Sequence, residues 1–289
     1  MIKLAERNER IMSRVFFISA IMSIVSLVLI IIFMFANGLP VMAKYGFDEF
    51  LFGTVWRPTA TEPRFGLLPM ILGSIYVTIG AAILGVPVGV ATAIFMAEYC
   101  PKWLYKILKP AVSLMASIPS IVYGFFALQL LVPVIRDNLG GNGYSMLTAM
   151  ILLGIMILPT IIELSESALR AVPRTYYNGS VALGATHERT IFTVMIPAAS
   201  SGVISSIVLG IGRAIGETMA VVLIAGNQPL VPSSLLKGIR TLTTNIVLEM
   251  SYASGDHRQA LIATGVVLFI FILLINSIFI YIKEREAKS

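Results

Sequence analysis

The chain has 289 residues, of which 57% are hydrophobic and only 12% charged, with a net charge of +6. Soluble globular chains carry roughly 25% charged residues, so this composition, with a mean hydropathy of +0.89, excludes a water-soluble domain and makes lipid the main solvent. The basic excess does not indicate nucleic acid, because Lys and Arg cluster at the ends of apolar runs, where membrane topology needs them. The one cysteine, Cys100, excludes an internal disulfide. It stands beside Pro101 at an expected membrane boundary and reads as a structurally neutral thiol.

A helix needs about 20 apolar residues to cross a bilayer core. The first such run is Val15–Ala36, behind a basic tail with Lys3, Arg7, Arg10 and Arg14. It is too long for a signal-peptide core and no small-x-small cleavage site follows, so it is expected to stay as the first helix. Five more runs lie at about 67–97, 107–134, 145–169, 198–225 and 259–282. Gly80, Gly85, Pro87, Gly89, Pro119, Gly124 and Pro159 fall inside them, which membrane helices tolerate where neighbours satisfy the freed backbone. Gly85 and Gly89 have the spacing that permits close helix approach. The expected class is all-α integral membrane with six transmembrane helices.

Basic residues orient the spans. With the N-terminus inside, one face holds Lys3, Arg7, Arg10, Arg14, Lys102, Lys106, Lys109, Arg170, Arg174, Arg189, Lys283, Arg285 and Lys288. The other holds Lys44, Arg57, Arg64, Arg136, Lys237, Arg240 and Arg258, and Arg213 is left inside a span. Both termini are therefore expected in the cytoplasm, with outer loops at 37–66, 135–144 and 227–258 and inner loops at 98–106 and 170–197. In the last outer loop Leu235, Leu236, Ile239, Leu242, Ile246 and Met250 recur at near-helical spacing. They predict a short amphipathic helix in the interface, or a re-entrant segment packed on the bundle.

The inner loop at 170–197 is too patterned for a plain connector. Pro173 can start a helix, and Tyr176 to Thr186 carries small and apolar residues suited to one. Ala182, Leu183, Gly184 and Ala185 make a small-residue turn, and Ile191, Phe192, Val194 and Ile196 lead to Pro197. A helix at the cytoplasmic surface with an apolar face needs either a partner or lipid. The loop resembles that of binding-protein-dependent ABC importer permeases, which carry Glu-Ala-Ala, three residues, Gly, nine residues, then Ile-x-Leu-Pro. Here Asn178-Gly179-Ser180 precedes Gly184 and Val194-Met195-Ile196-Pro197 at the same spacing. The opening triplet departs from the family, and Gly179 should weaken the helix by up to about 1 kcal/mol relative to Ala. The resemblance implies a coupling segment at about 171–197, seated on a separate ATP-binding subunit. The chain has no phosphate-binding G-x-x-x-x-G-K-[ST] motif. The glycine run from Gly210 to Gly216 has the wrong spacing and no preceding strand for a dinucleotide site.

Arg213 and Glu217 fall in the fifth run. A charge at the bilayer centre costs about 2.5–3.5 kcal/mol on the insertion scale. Four apart, the two are expected to share one helix face, lined by Gly210, Gly216 and Ala220. They read either as a structural ion pair or as an intramembrane anion site or gate, for which a guanidinium offers a planar fork of donors. Glu163, Glu166 and Arg170 read as a local interfacial cluster. His187 and His257 fall in expected loops without ligand-spaced neighbours, so neither argues for metal. No convergent nucleophile and base is present, so the chain is not expected to be an enzyme.

The run Gly212-Arg213-Ala214-Ile215-Gly216-Glu217-Thr218-Met219-Ala220 resembles the signature of the PstC-type permease of phosphate-specific ABC importers. Three other stretches are similar to that family: Phe50-Leu51-Phe52-Gly53-Thr54 with Trp56 and Pro58, then Ser117-Ile118-Pro119-Ser120-Ile121-Val122-Tyr123-Gly124, then Thr241-Leu242-Thr243 with Glu249-Met250 and Gly255-Asp256-His257. The resemblance implies a type I ABC importer permease fold. It divides the chain into a tail, first helix and outer loop at 1–66, a permease core at 67–282 and a cytoplasmic tail at 283–289. It implies phosphate as the substrate, with sulfate, molybdate or tungstate as alternatives, and Arg213 and Glu217 as pathway residues. The implied partners are a PstA-type permease, two ATP-binding subunits that use ATP and Mg, and an extracytoplasmic phosphate-binding protein. This chain itself is expected to bind no cofactor. A channel or secondary transporter acting without ATP is the contrasting class.

Overall fold

The computed structural model describes residues 2–286, with side-chain surroundings at residue 9 and from 11 to 281. Of the tail expected at 283–289, residues 287–289 lie outside the described residues, as do the side chains of Lys3, Arg7, Arg10, Lys283, Arg285 and Lys288. Among the described residues, six helical stretches are long and apolar enough to cross a membrane: Ile11–Tyr45, Leu68–Tyr99, Ser120–Leu139, Met146–Ala171, His187–Gly216 and Gly255–Tyr281.

The first helix, α1 (Ile2–Tyr45), runs on past Ala36 and absorbs Pro40. Its apolar side chains from Ile11 to Phe33 are exposed apart from half-buried Ile31, whereas Val41 and Met42 are buried. A helix apolar all round and unburied belongs in lipid. It meets the last helix, α13 (Gly255–Glu286), where Gly38 comes so close that an added Cβ would sit 3.0 Å from the Ala263 Cα. Phe35 stacks edge-on to Phe269 beside it. Helix α2 (Phe47–Phe52) follows, then a short antiparallel hairpin of β1 (Trp56–Arg57) and β2 (Arg64–Phe65). Trp56 pairs with Phe65, and Arg57 with Arg64.

Helix α3 (Leu68–Ile94) starts with Pro69 in its first turn, where the missing N–H costs nothing. It lies against α7 (Met146–Ala171), whose buried Leu153, Met156, Ile157 and Ile161 make the centre of the bundle. Ser145 caps α7 by accepting the Thr148 N–H at 3.2 Å. The Gly85 and Gly89 pair does what its spacing predicts: a Cβ at Gly85 would meet the Gly154 carbonyl oxygen at 2.6 Å, and one at Gly89 would meet Ile161 at 2.9 Å. Gly85→Leu is accordingly expected to destabilise the bundle by about 2 kcal/mol or more. The readout is the thermal midpoint of detergent-purified protein, and an unchanged midpoint would mean that α3 and α7 can separate freely.

Two expected spans are corrected. The run at 107–134 is not one helix. Helix α4 (Lys102–Ser117) ends, Ile118 turns extended at φ −67° and ψ 127°, and α5 (Ser120–Phe126) restarts after Pro119. Proline has no N–H to continue the ladder and pushes the residue before it out of the helical region. The span then continues through a π-helical turn at Ala127–Leu131 into α6 (Val132–Leu139), and α4 lies outside the six spans.

The fifth span is displaced rather than split in its middle. It begins with α9 (His187–Thr190), passes a π-helical turn at Ile191–Met195 and continues as α10 (Ile196–Gly216), so Pro197 stands in the first turn of α10. It stops at Gly216, not at 225. Glu217 is extended at φ −68° and ψ 130°, and a separate short helix, α11 (Met219–Ile224), follows. Of the helix expected from Leu235 to Met250, only α12 (Leu242–Glu249) forms, capped by a reciprocal Thr241 and Thr244 box. Leu242 to Asn245 are buried, which selects the segment packed on the bundle over the one lying in the interface.

A candidate anion site and a candidate coupling turn

Arg213 sits in the last turn of α10 and is half-buried. Its Nη1 donates to the Thr160 hydroxyl of α7 at 3.3 Å. Glu217 lies past the helix end and faces another way. Its Oε1 accepts the backbone N–H of Thr218 at 3.1 Å and of Ala220 at 3.3 Å, so the carboxylate caps α11. Its backbone carbonyl accepts the Thr243 hydroxyl of α12 at 3.1 Å. The shared helix face is therefore corrected: among the described residues there is no Arg213–Glu217 ion pair. An acidic side chain at a helix break competes well for the orphaned N–H groups of the next helix.

The expected glycine lining also changes. Gly210 packs against Ile161 and Ala220 packs under Gly124, whereas a Cβ at Gly212 or Gly216 would meet nothing within 4 Å. The open positions near the end of α10 are thus Gly212 and Gly216. A guanidinium has five N–H donors, and Arg213 uses one of them on protein, through a long bond. Among the described residues no other hydrogen bond of Arg213 is formed, which leaves donors suited to a planar or tetrahedral oxyanion, while Glu217 Oε1 is taken by backbone N–H groups. Thr160 meets the guanidinium, while the Thr218 hydroxyl donates to the Gly216 carbonyl and the Thr243 hydroxyl to that of Glu217, each at 3.1 Å, around the end of α10. Sequence reading singled out none of these hydroxyls for the site, because Thr160 lies in an otherwise apolar run and Thr243 arrives only through the folding-back of α12.

At the other end of α3, α8 (Arg174–Ala182) forms the expected short helix two residues earlier than its composition suggested, and stops before Thr186. Ala182, Leu183, Gly184 and Ala185 form one turn closing it, with Gly184 N–H to Val181 O at 2.9 Å and Ala185 N–H to Ser180 O at 3.2 Å. Gly184 has φ +88° and open space around it, so the backbone, not crowding, demands glycine. Leu183 is 91% exposed. The turn is held from behind: the Tyr177 hydroxyl lies 2.9 Å from His187 Nδ1, Ser180 Oγ 2.9 Å from Thr190 Oγ1, and Arg174 Nη1 donates to Glu98 Oε2 at 3.0 Å. Pro197, the expected end of the coupling segment, stands in the first turn of α10.

Glu166 of α7 pins α4 to this end. It accepts from Tyr105 and Lys109 at 2.7 Å each and from Arg170 at 2.6 Å. Donating to Glu166 holds the Tyr105 phenol above its ordinary value. For Lys109, burial works against the ammonium, but the Glu166 bond and charge outweigh it and raise its pKa. Any stability from that raised Lys109 value is complete below the ordinary lysine pKa and lost only as pH rises through the raised one, so the clamp is constant through neutral pH.

At the hairpin end, buried Glu249 collects three donors. Its Oε2 accepts from Trp56 Nε1 at 2.9 Å and lies 2.8 Å from His257 Nε2, while its Oε1 accepts from Arg240 Nη1. His257 is in the first turn of α13 and His187 in α9, so neither is a loop residue as expected. Removing a buried charge strands its partners at about 3–5 kcal/mol. Glu249→Ala is expected to lose about 3 kcal/mol of stability, read as a lower thermal midpoint, and Glu249→Gln less; equal midpoints for all three would contradict the hub.

Three comparisons place these features. Residues 85–288 match the model of the binding-protein-dependent transport system inner membrane component family. The chain is 42% identical to a probable ABC transporter permease protein, YqgH, of Bacillus subtilis, across 92% of this chain and 88% of that one. It is 33% identical to the phosphate transport system permease protein PstC of Mesorhizobium japonicum, across 92% and 87%, and 35% identical to a probable PstC of Methanocaldococcus jannaschii, across 89% and 88%. Among solved structures it superposes on a bacterial alginate ABC transporter chain with a TM-score of 0.64 at 13% identity, covering 93% of this chain and 96% of that one. A chain of the MetNI methionine ABC transporter gives 0.62 at 20%, covering 76% and 95%. The chain is a multi-pass protein of the cytoplasmic membrane with the type I ABC importer permease fold, and it belongs to the binding-protein-dependent transport system inner membrane component family.

Proposed function

We propose that this chain is a permease subunit of an ATP-driven importer that carries inorganic phosphate across the cytoplasmic membrane, with both termini in the cytoplasm. The observation that carries the reading is Arg213: a cation in a membrane span, tied to protein by one 3.3 Å bond and close in sequence to the open Gly212 and Gly216. Such a cation is costly in lipid and serves an anion pathway. The relatives named as phosphate permeases, at 33–35% identity over nearly the whole chain, favour phosphate among the anions. Glu217 and the threonines around the end of α10 shape the passage.

ATP, with Mg, is used by two separate ATP-binding subunits, for which the turn from Ala182 to Ala185 is the seat. A PstA-type permease completes the pathway, and an extracytoplasmic binding protein delivers phosphate. Leu183, held out in solvent at the end of a helix tied to α9 and to Glu98 in the π-helical turn after α3, transmits the movement of the ATPase to the bundle.

Transport of sulfate, molybdate or tungstate is the second reading, since a guanidinium grips any tetrahedral oxyanion and the name of the Bacillus subtilis relative specifies none. Radiolabelled uptake in cells lacking this chain separates the two. Loss of phosphate uptake with sulfate uptake intact is expected, and the reverse pattern overturns phosphate.

A further inference from the structure

The hairpin at Trp56–Phe65 carries an arrangement that folding alone does not favour. Arg57 and Arg64 are directly paired across it and both are exposed. Like charges placed opposite each other destabilise a strand pair. Among the described residues neither guanidinium has an ion pair, although Glu62 and Glu49 line the hollows on either side of Arg64. A hollow of 450 Å³ lies at the pair, lined also by Thr61 and Ala60.

The opposite side of the same hairpin is fixed rigidly. Trp56 and Phe65 are 5% and 2% exposed and stack edge-to-face at 5.7 Å. Trp56 Nε1 is held by Glu249, which also holds Arg240 and His257. At the base, Gly53 and Gly66 touch so closely that a Cβ on Gly66 would lie 2.4 Å from the Gly53 carbonyl. A buried polar hub and a glycine contact thus hold two unpaired arginines out at one end of the bundle. Neither lies in a span, and the exposed Thr59, Thr61 and Glu62 around them are unsuited to lipid.

We propose that the Arg57–Arg64 hairpin is a docking key for a carboxylate-bearing face of the soluble binding protein on which this family depends. Among the described residues Glu62 lines the hollow without pairing with either arginine, and an acidic side chain of the partner that enters it and bridges both forks relieves the opposed charges. Exposed complementary charges act mainly on encounter, so the key sets capture of the binding protein and the effect is sensitive to salt. The inference rests on the import reading and on the hairpin facing outward.

The test uses the assembled complex in vesicles, titrating ATPase activity with the ligand-loaded binding protein. In the Arg57→Glu/Arg64→Glu variant the half-maximal concentration should rise at least tenfold. ATPase activity without binding protein should be unchanged, and the difference should shrink at 0.5 M salt. Arg57→Gln, which leaves the fold least disturbed, should raise it about threefold. Equal half-maximal concentrations for variant and parent overturn the proposal. A difference seen in vesicles with anionic lipid but absent in pure phosphatidylcholine assigns the arginines to headgroups and overturns it too. A parent complex that the phosphate-binding protein does not stimulate contradicts the phosphate reading instead, so the two failures are distinct.

Discussion

Arg213→Gln should lower phosphate uptake at least about 100-fold in a complex that still assembles. Gln can keep a hydrogen bond to Thr160, so the packing of α10 on α7 survives. It loses the charge, and with it charged hydrogen bonds to the anion worth about 3 kcal/mol, or a factor of about 100. The substitution also removes a cation that costs about 2.5–3.5 kcal/mol at the centre of a bilayer, so the amount of folded protein should not fall. Arg213→Lys keeps the charge but loses the planar fork and should be intermediate. Uptake of labelled phosphate, with copurification of the partner subunits as the assembly control, gives the answer. Normal uptake in Arg213→Gln would reduce Arg213 to a helix-packing residue. Glu217→Gln is a gentler change, since its Oε1 accepts from backbone amides rather than pairing with Arg213.

The second large effect is expected at the coupling turn, where two substitutions separate shape from contact. Leu183→Glu alters a side chain that is 91% exposed and should leave the fold of this chain intact. It replaces an apolar group whose burial in a partner would contribute about 1.5–3 kcal/mol by a charge that must be desolvated there. ATPase copurification should fall at least about tenfold. Gly184→Val acts through the backbone, since φ +88° is unfavourable for a β-branched residue by about 1–3 kcal/mol. It should uncouple the turn while leaving the six spans folded. Unchanged copurification and transport in both variants would remove the coupling role from this segment.

Much of this was legible in the sequence, for physical reasons. Apolar length and basic asymmetry are averaged over many residues, so six spans could be counted although their ends moved. A close helix approach at Gly85 and Gly89 was readable because the pair carries its own spacing, but its partner, α7, was not. The turn at Gly184 was readable because a small-residue run after a short helix has few other uses. What failed is local backbone geometry inside continuous apolar sequence. Ile118-Pro119 and Gly216-Glu217 interrupt helices without interrupting hydropathy, and the second break turns Glu217 from Arg213 toward the N–H groups of α11. Long-range polar contacts were equally hidden. Trp56 and Glu249 lie 193 residues apart and meet only because α12 folds back beside the hairpin.

In the proposed cycle an anion passes Arg213 under the drive of ATP hydrolysed elsewhere. Reconstitution of the assembled complex in proteoliposomes, with the binding protein on the outside and ATP within, tests it most directly. Labelled phosphate should accumulate only with ATP, excess sulfate should not compete, and Arg213→Gln should stop accumulation while the ATPase remains bound. Accumulation without ATP, or of sulfate in place of phosphate, would contradict the account.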